Sequence, residues 1–144
     1  MATLRLKELA IPKLISHLKD PDRSVRLHAA ASLGQMGPKA SPAVPALIEA
    51  LQDPDAHVRK LATLALGDIG PDARAAVLAL AEALHDRHPG VRRRSAVALG
   101  ELGAEAIPVV RSLLQAVDDP EAEVGKMAVW ALAEVEKAMR TKAA

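Results

Sequence analysis

One phrase recurs along the chain at a fixed interval, and this periodicity constrains the fold more than any other feature of the sequence. "VRLHAAASLGQMG" begins at Val25, "VRKLATLALGDIG" at Val58 and "VRRRSAVALGELG" at Val91, which is one copy every 33 residues. The aspartates that precede each phrase keep the same interval, at Asp20, Asp53, Asp86 and Asp119. Such periods are typical of arrays in which each unit buries its apolar face against the next. We predict four repeats, at residues 10–42, 43–75, 76–108 and 109–140, in a single domain that covers residues 1–144.

Each repeat is predicted to contain two helices. The first carries apolar residues at positions i, i+1 and i+4, which form the buried face of an amphipathic helix. These residues are Leu14, Ile15, Leu18; Leu47, Ile48, Leu51; Leu80, Ala81, Leu84; and Leu113, Leu114, Val117. Runs of alternating β-branched residues are missing from the sequence, so we expect an all-α chain of about eight helices.

The ends of the second helices are marked by capping residues. We expect these helices to start near Ser24, His57, Gly90 and Glu123. Asp22 and Asp55 stand where an N-cap accepts free backbone N–H groups, and His88 takes that place before Pro89. At the other end, the glycines are expected to adopt the left-handed C′ conformation, with a proline after the first two to stop the helix. These residues are Gly37, Gly70 and Gly103, followed by Pro38 and Pro71.

The two ends of the array depart from the pattern. Ala133 and Glu136 replace the glycines of the earlier repeats, so the last helix should continue through "EVEKAMRTK" and act as a charged C-terminal cap. Residues 3–9 are expected to lengthen the first helix and to shield its exposed side.

Composition excludes several classes of protein. The net charge is +1 and there is no cysteine, so we expect no global attraction to nucleic acid, no disulfide framework and no thiolate zinc site. The amino terminus lacks the apolar stretch of a secretory signal, and no apolar run approaches the roughly 20 residues that span a bilayer. We therefore expect a cytoplasmic protein that has no contact with a membrane.

Catalytic and metal-binding motifs are also missing. The sequence contains no G-x-S-x-G elbow, no P-loop and no H-E-x-x-H motif. His85 and His88 are three residues apart, but a capping role for His88 is favoured over a shared metal. The prediction is a protein that is not an enzyme and that uses no metal or cofactor.

The phrase "AVPALIEALQDPDAHVRKLATLALGDIGPDA", with its recurring "V-R" and "A-L-G-x-I-G" elements, resembles the HEAT repeats of bacterial proteins related to phycobilisome lyases. The resemblance implies a right-handed α-solenoid of four helical hairpins, with first helices on the convex side and second helices on the concave side. It also implies a ladder in which each turn aspartate pairs with the arginine of its own repeat, and which Gly125 breaks in the fourth repeat. The implied pairs are Asp20 with Arg26, Asp53 with Arg59, and Asp86 with Arg92.

The second helices have three different faces at about 100° per residue. Val25, Ala29 and Leu33, with their equivalents, are predicted to form the core, while small residues such as Ala30 and Gly34 let neighbouring helices approach closely. The third face varies between repeats, and we predict that it binds a partner. Its residues in the first repeat are Leu27, His28, Ala31 and Gln35. The predicted partner-binding residues of the later repeats are Lys60, Leu61, Leu64, Asp68, Arg93, Arg94, Val97, Glu101, Lys126, Met127, Trp130 and Glu134.

This variable face is expected to carry an apolar row between two charged edges. Lys60, Arg93, Arg94 and Lys126 are placed at one edge; Asp68, Glu101 and Glu134 are placed at the other. Trp130 has two interpretations: it is the main contact for a partner, or it packs against the extended last helix and closes the core.

The predicted function is a non-enzymatic module that binds a protein or peptide on the concave face, as a monomer or weak homo-oligomer. One alternative is a spacer or assembly subunit that uses the same apolar row for self-association. Two others are a bilin-lyase-like protein, for which the sequence shows no dedicated pocket, and a nucleic-acid binder. Nucleic acid is not favoured because acidic residues share the face and Arg92 is assigned to the ladder.

Overall fold

The computed structural model describes the backbone of residues 2–143 and the side chains from Leu9 to Ala143. It contains eight α-helices: α1 (Ala2–His17), α2 (Arg23–Met36), α3 (Val44–Ala50), α4 (Ala56–Ile69), α5 (Val77–Ala83), α6 (Pro89–Leu102), α7 (Val110–Ala116) and α8 (Ala122–Ala143). Residues 2–143 form no strand. The predicted all-α chain of helical hairpins in a solenoid arrangement is confirmed.

Side-chain caps begin the second helices as predicted. The Asp22 carboxylate accepts a hydrogen bond from the backbone N–H of Ser24 at 2.8 Å, and Asp55 accepts one from His57 at the same distance. In the third repeat, Nδ1 of His88 accepts the backbone N–H of Gly90 at 3.1 Å. Each of these bonds satisfies an N–H group that has no partner within the helix.

The junction after each second helix differs from the expected left-handed cap. Gly37, Gly70 and Gly103 do have positive φ, at 59°, 81° and 56°, but their ψ values of −139°, −147° and −117° lie far from the left-handed helical region. That combination is essentially restricted to glycine. The chain does not stop there but continues into 3-10 helices at Gly37–Ala43, Gly70–Ala76 and Gly103–Val109. These segments lead directly into α3, α5 and α7. The 3-10 helices were not predicted from the sequence.

The second helices stack in succession, with α2 on α4, α4 on α6 and α6 on α8. Close contact requires glycine, because a Cβ on Gly67 would lie 3.2 Å from the Cα of Ala98, and one on Gly100 would lie 3.0 Å from the Cα of Ala131. The predicted small-residue face is confirmed. Each first helix packs on the second helix of its own repeat.

Equivalent residues of successive repeats form the buried core. Leu33, Leu66 and Leu99 of the second helices are completely buried, as are Leu47, Leu80 and Leu113 of the first helices. Leu114 is an exception to the predicted buried face, since 56% of it is exposed. Its equivalent in the third repeat, Ala81, is only 8% exposed.

The two ends of the array behave differently. Helix α8 continues for 22 residues to Ala143, so the predicted extension of the last helix is confirmed. Helix α1 includes residues 3–9, as expected, and Leu9 is exposed. The remaining side chains of the predicted shield lie outside the described residues.

Candidate protein-binding surface

An arginine ladder joins consecutive repeats along one edge of the stack. Nε of Arg26 donates to Asp53 at 2.8 Å, Nε of Arg59 to Asp86 at 2.9 Å, and Nε of Arg92 to Asp119 at 2.9 Å. The pairing within one repeat that the resemblance implied is therefore wrong, because each carboxylate that receives an arginine belongs to the next repeat.

Each ladder arginine also contacts its own repeat, through the backbone. Nη1 of Arg59 donates to the carbonyl oxygen of Asp53 at 2.8 Å, and Nη1 of Arg92 donates to that of Asp86 at 2.9 Å. One guanidinium thus joins the turn of its own repeat to the carboxylate of the next, which uses the planar donor geometry of arginine.

The environment of the ladder lowers the pKa of two of its carboxylates, Asp86 and Asp119. Burial by itself would raise the pKa of Asp86, but hydrogen bonds from Arg59 and from the His88 backbone hold that pKa below its ordinary value. For Asp119, burial acts in the same direction, and hydrogen bonds from Arg92 and the Glu121 backbone again lower the pKa. These charges are paired, so Arg92 is not available to a phosphate group.

The ladder ends in the fourth repeat, where the backbone leaves no space for an arginine side chain. Gly125 occupies the ladder position, and a Cβ there would lie 2.7 Å from the carbonyl oxygen of Val117. As predicted, Gly125 leaves the fourth repeat without a ladder arginine. Asp119 of the same repeat still accepts a hydrogen bond from Arg92.

The variable face of the second helices is accessible. We call it the concave surface, and it comprises the twelve predicted partner-binding residues. Four of them are exposed: Asp68, Glu101, Lys126 and Trp130. Eight are partly buried: Lys60, Leu61, Leu64, Arg93, Arg94, Val97, Met127 and Glu134. None is sealed inside the protein, so the row can be reached by a partner, although its use in binding stays a prediction.

Trp130 lies across the preceding repeat. A Cβ on Gly100 of α6 would meet Cζ3 of the indole at 2.5 Å and Cε3 at 3.0 Å, which places the ring directly over this glycine. The ring nevertheless keeps 38% of its surface exposed. Trp130 therefore has one covered face and one accessible face, and its support is the preceding repeat, whereas the second interpretation placed it against the extension of α8.

Three charged side chains form a cluster beside the apolar row. Asp68 lies over Gly34 and Glu101 lies over Gly67, each on the preceding repeat. Burial raises the pKa of Asp68, and the charge of Arg94 opposes this effect. Burial also raises the pKa of Glu101; repulsion from Asp68 adds to it and Arg94 opposes it. We name Asp68, Arg94 and Glu101 the concave charge cluster.

Arg94, which was predicted at the basic edge, also interacts electrostatically with both acidic residues of the other edge. The reason is helical geometry, since residues 94 and 101 are seven apart and share a face. Its Nε atom is buried and has no hydrogen-bond partner among the described residues. The cluster therefore contains an unsatisfied donor and two carboxylates that are partly removed from water.

Sequence reasoning missed the way side chains of one repeat cover the glycines of the preceding repeat. A signal was present, because Asp68 and Glu101 each follow a helix glycine by 34 residues. That interval is one period plus one residue; Glu134 keeps it from Gly100 as well, but there Trp130 covers the glycine instead.

The described residues form neither a metal site nor a membrane-spanning helix. In the described part of the chain, no three or more histidine, aspartate or glutamate side chains are grouped so as to hold a metal ion. None of the described helices is both long and apolar enough to cross a membrane. His88 is engaged in the predicted cap, and its ring meets that of His57 edge to face at a centroid distance of 6.1 Å.

Known structures share this architecture. An engineered protein from the Northeast Structural Genomics Consortium is 25% identical, with a TM-score of 0.73 over 89% of this chain, which spans 63% of the length of that protein. The complex of CpcE and CpcF of phycocyanin lyase from Nostoc sp. PCC7120 is 26% identical, with a TM-score of 0.67, covering 90% of this chain and 79% of that one. A designed armadillo repeat protein, 22% identical with a TM-score of 0.72, covers 90% and 70% and shows likeness of fold alone.

Comparison of sequences gives the family. Among curated proteins none is significantly similar to this chain. A sequence model of HEAT repeats matches residues 11–96 and again residues 77–144. Together the two matches extend over all four repeats, and they agree with the stacked helix pairs and the likeness to the phycocyanin lyase complex. The predicted resemblance is confirmed, and the chain belongs to the HEAT-repeat family.

Proposed function

We propose that the protein is a non-enzymatic interaction module that binds a protein or peptide segment on the concave surface. The observation that carries this proposal is the accessibility of an apolar row along the second helices. Trp130 is 38% exposed, whereas the neighbouring Ala128 and Ala131 are completely buried. Burial of such a row drives association, and a large, partly supported aromatic ring is a typical centre of binding energy.

Charges beside the row supply orientation. Lys60, Arg93 and Lys126 stand at one edge, while Asp68 and Glu101 stand at the other with pKa values raised by burial. Burial removes part of the solvation that stabilises these two carboxylates in their charged form. A partner that places a cation beside them would compensate for this loss. We therefore propose a segment with an apolar ridge and at least one basic residue facing Asp68 and Glu101.

The scaffold explains why such a surface can be specific. The ladder and the glycine contacts hold successive second helices at fixed spacing, so the side chains of the row are presented without a large ordering cost. We also propose that residues 10–42, 43–75, 76–108 and 109–140 act as one domain, and that binding takes place in the cytoplasm, because the sequence has no cysteine.

Selection of peptides from a random displayed library tests this function. We expect the selected peptides to carry an apolar residue close to a lysine or arginine. Their affinity should fall by about tenfold or more for Trp130→Ala, which corresponds to about 1.4 kcal/mol or more.

The control is Leu78→Ala, because Leu78 is 70% exposed on α5, outside the concave surface. Its peptide affinity should match that of the wild type. Thermal unfolding of both variants separates loss of binding from loss of folding. Equal affinity of the Trp130→Ala variant and the wild type would contradict the proposal.

A further inference from the structure

The last repeat presents an apolar face that the earlier repeats cover. We define the terminal face as Leu114 and Val117 of the last first helix with Val129 and Ala133 of α8. Val129 is 54% exposed. Its equivalents one, two and three repeats earlier are completely buried, at Ala96, Thr63 and Ala30. The terminal face is therefore the same surface that holds two repeats together elsewhere in the chain.

The other positions of the terminal face show the same change. Leu114 is 56% exposed, whereas its equivalent Ala81 is 8% exposed. Ala133 is exposed, and the glycine at the equivalent position of the third repeat, Gly100, is buried. A capping repeat ordinarily has a polar outer face. The charged extension of α8 is exposed, as predicted, at Glu136, Lys137 and Arg140, whereas apolar side chains occupy the terminal face.

The internal interfaces show what kind of surface fits here. In each of them, a second helix packs against this position with small residues, as α8 does against α6 through Ala131. The outer side of helix α8 carries two such small residues, Ala122 and Ala133, with Val129 between them, at the i, i+3 and i+4 spacing of one helical face. In order, this outer face reads Ala122, Lys126, Val129, Ala133, Glu136 and Arg140.

The outer face of α8 is complementary to the same face of a second copy whose α8 runs in the opposite direction. If Val129 of one copy lies opposite Ala133 of another, then Lys126 lies opposite Glu136 and Ala122 lies opposite Arg140. In the single chain, Lys126 and Glu136 make only exposed pairs within the helix, with Glu123 at 3.3 Å and with Arg140 at 2.6 Å. Because these pairs are exposed, both side chains can also form ion pairs across an interface.

We propose that the terminal face binds a second copy of this chain, with the two α8 helices antiparallel about a two-fold axis. Such an interface is isologous, so every contact occurs twice. It covers Leu114 and Val129 in both copies and pairs Lys126 with Glu136 in both directions. The interface shares Lys126 with the charged edge of the concave surface but none of the apolar row, so this dimer does not depend on the proposed peptide function.

The dimer is tested by sedimentation velocity of the full chain over concentrations that bracket about 10 µM. The wild type should shift from monomer to dimer as concentration rises. Val129→Glu should weaken the dimer by about tenfold or more, because it buries a charge at the centre of the face. Leu78→Glu is the matched control: it places the same charge on an exposed leucine of α5 and should leave the dimer unchanged.

A charge exchange tests the antiparallel register. Glu136→Lys places two lysines opposite each other at both ends of the interface and should weaken the dimer. Adding Lys126→Glu in the same chain should restore it, since the pair is then reversed but complementary. Thermal unfolding checks that each variant remains folded.

Two results would overturn the proposal. One is a wild-type protein that stays monomeric at every concentration; the other is failure of the double variant to restore the dimer. Trp130→Ala should keep the dimer while losing peptide binding, so failure of this inference and failure of the proposed function are distinguishable.

Discussion

The ladder and the concave charge cluster are built from the same residue types but differ in how completely the charges are satisfied. In the ladder, Arg59 is 5% exposed, its guanidinium donates to Asp86 and to the Asp53 backbone, and the pKa of Asp86 is lowered. In the cluster, Nε of Arg94 has no described partner and the pKa of Glu101 is raised. Paired charges join successive repeats, whereas the less completely satisfied charges lie on the surface that we propose binds a partner.

The largest expected effect comes from removing a ladder arginine. Arg59→Ala leaves Asp86 partly buried without its partner, so the free energy of unfolding should fall by about 3 kcal/mol. Urea denaturation monitored by circular dichroism measures this change. Arg111→Ala, an exposed arginine on α7, should change stability by less than about 0.5 kcal/mol. Similar losses for the two variants would remove the distinction between ladder and surface arginines.

A smaller loss is expected when the missing arginine of the fourth repeat is restored. Gly125→Arg should destabilise the protein by about 2 kcal/mol, because its Cβ would overlap the carbonyl oxygen of Val117. Gly125→Ala introduces the same Cβ without the guanidinium and should cost a similar amount in urea denaturation. A stabilised Gly125→Arg variant would show that the ladder stops in the fourth repeat for a reason other than space.

The smallest effect should come from the concave charge cluster, and its sign should be opposite. The folded-state pKa of Glu101 is raised, so its charge opposes folding at neutral pH, and this penalty disappears as pH falls through that pKa. Glu101→Gln should therefore increase stability at pH 7 by at most about 0.5 kcal/mol, given its exposure to solvent. The gain should disappear as pH falls below the ordinary glutamate range, as measured by urea denaturation at a series of pH values.

Asp86→Asn is the matched variant for this comparison. The folded-state pKa of Asp86 is lowered, so its ionised form stabilises the fold above the ordinary aspartate range, and that contribution is lost as pH falls through the folded-state value. Asp86→Asn should lose stability at pH 7, and the loss should shrink in acid. If both variants changed stability in the same direction at pH 7, the two charged regions would not differ as described.

Much of the fold was predictable because it depends on local chemistry that repeats. The caps at Asp22, Asp55 and His88 follow from the hydrogen-bonding capacity of side chains next to a helix start. The long α8 follows from the loss of two glycines. The accessible row of the concave surface was also predicted, since helical geometry separates it from the core positions.

The errors arose where two distant segments had to be placed next to each other. Arg26 lies six residues after Asp20 and 27 residues before Asp53, and spacing alone does not decide between these carboxylates. The electrostatic interaction of Arg94 with Asp68 was not predicted, because it depends on how α6 packs on α4. The exposure of Leu114 and Val129 likewise depends on what stands beyond the last repeat.

The sequence by itself determined the period, the helices and the division of each second helix into core, contact and variable faces, because these properties depend on residues that are near one another in the chain. Only the tertiary structure decided which aspartate each arginine reaches, which glycine Trp130 covers and which apolar side chains are left without a neighbour. The physical reason is that these contacts join successive repeats, and their distances are set by helix packing that no interval within the sequence encodes.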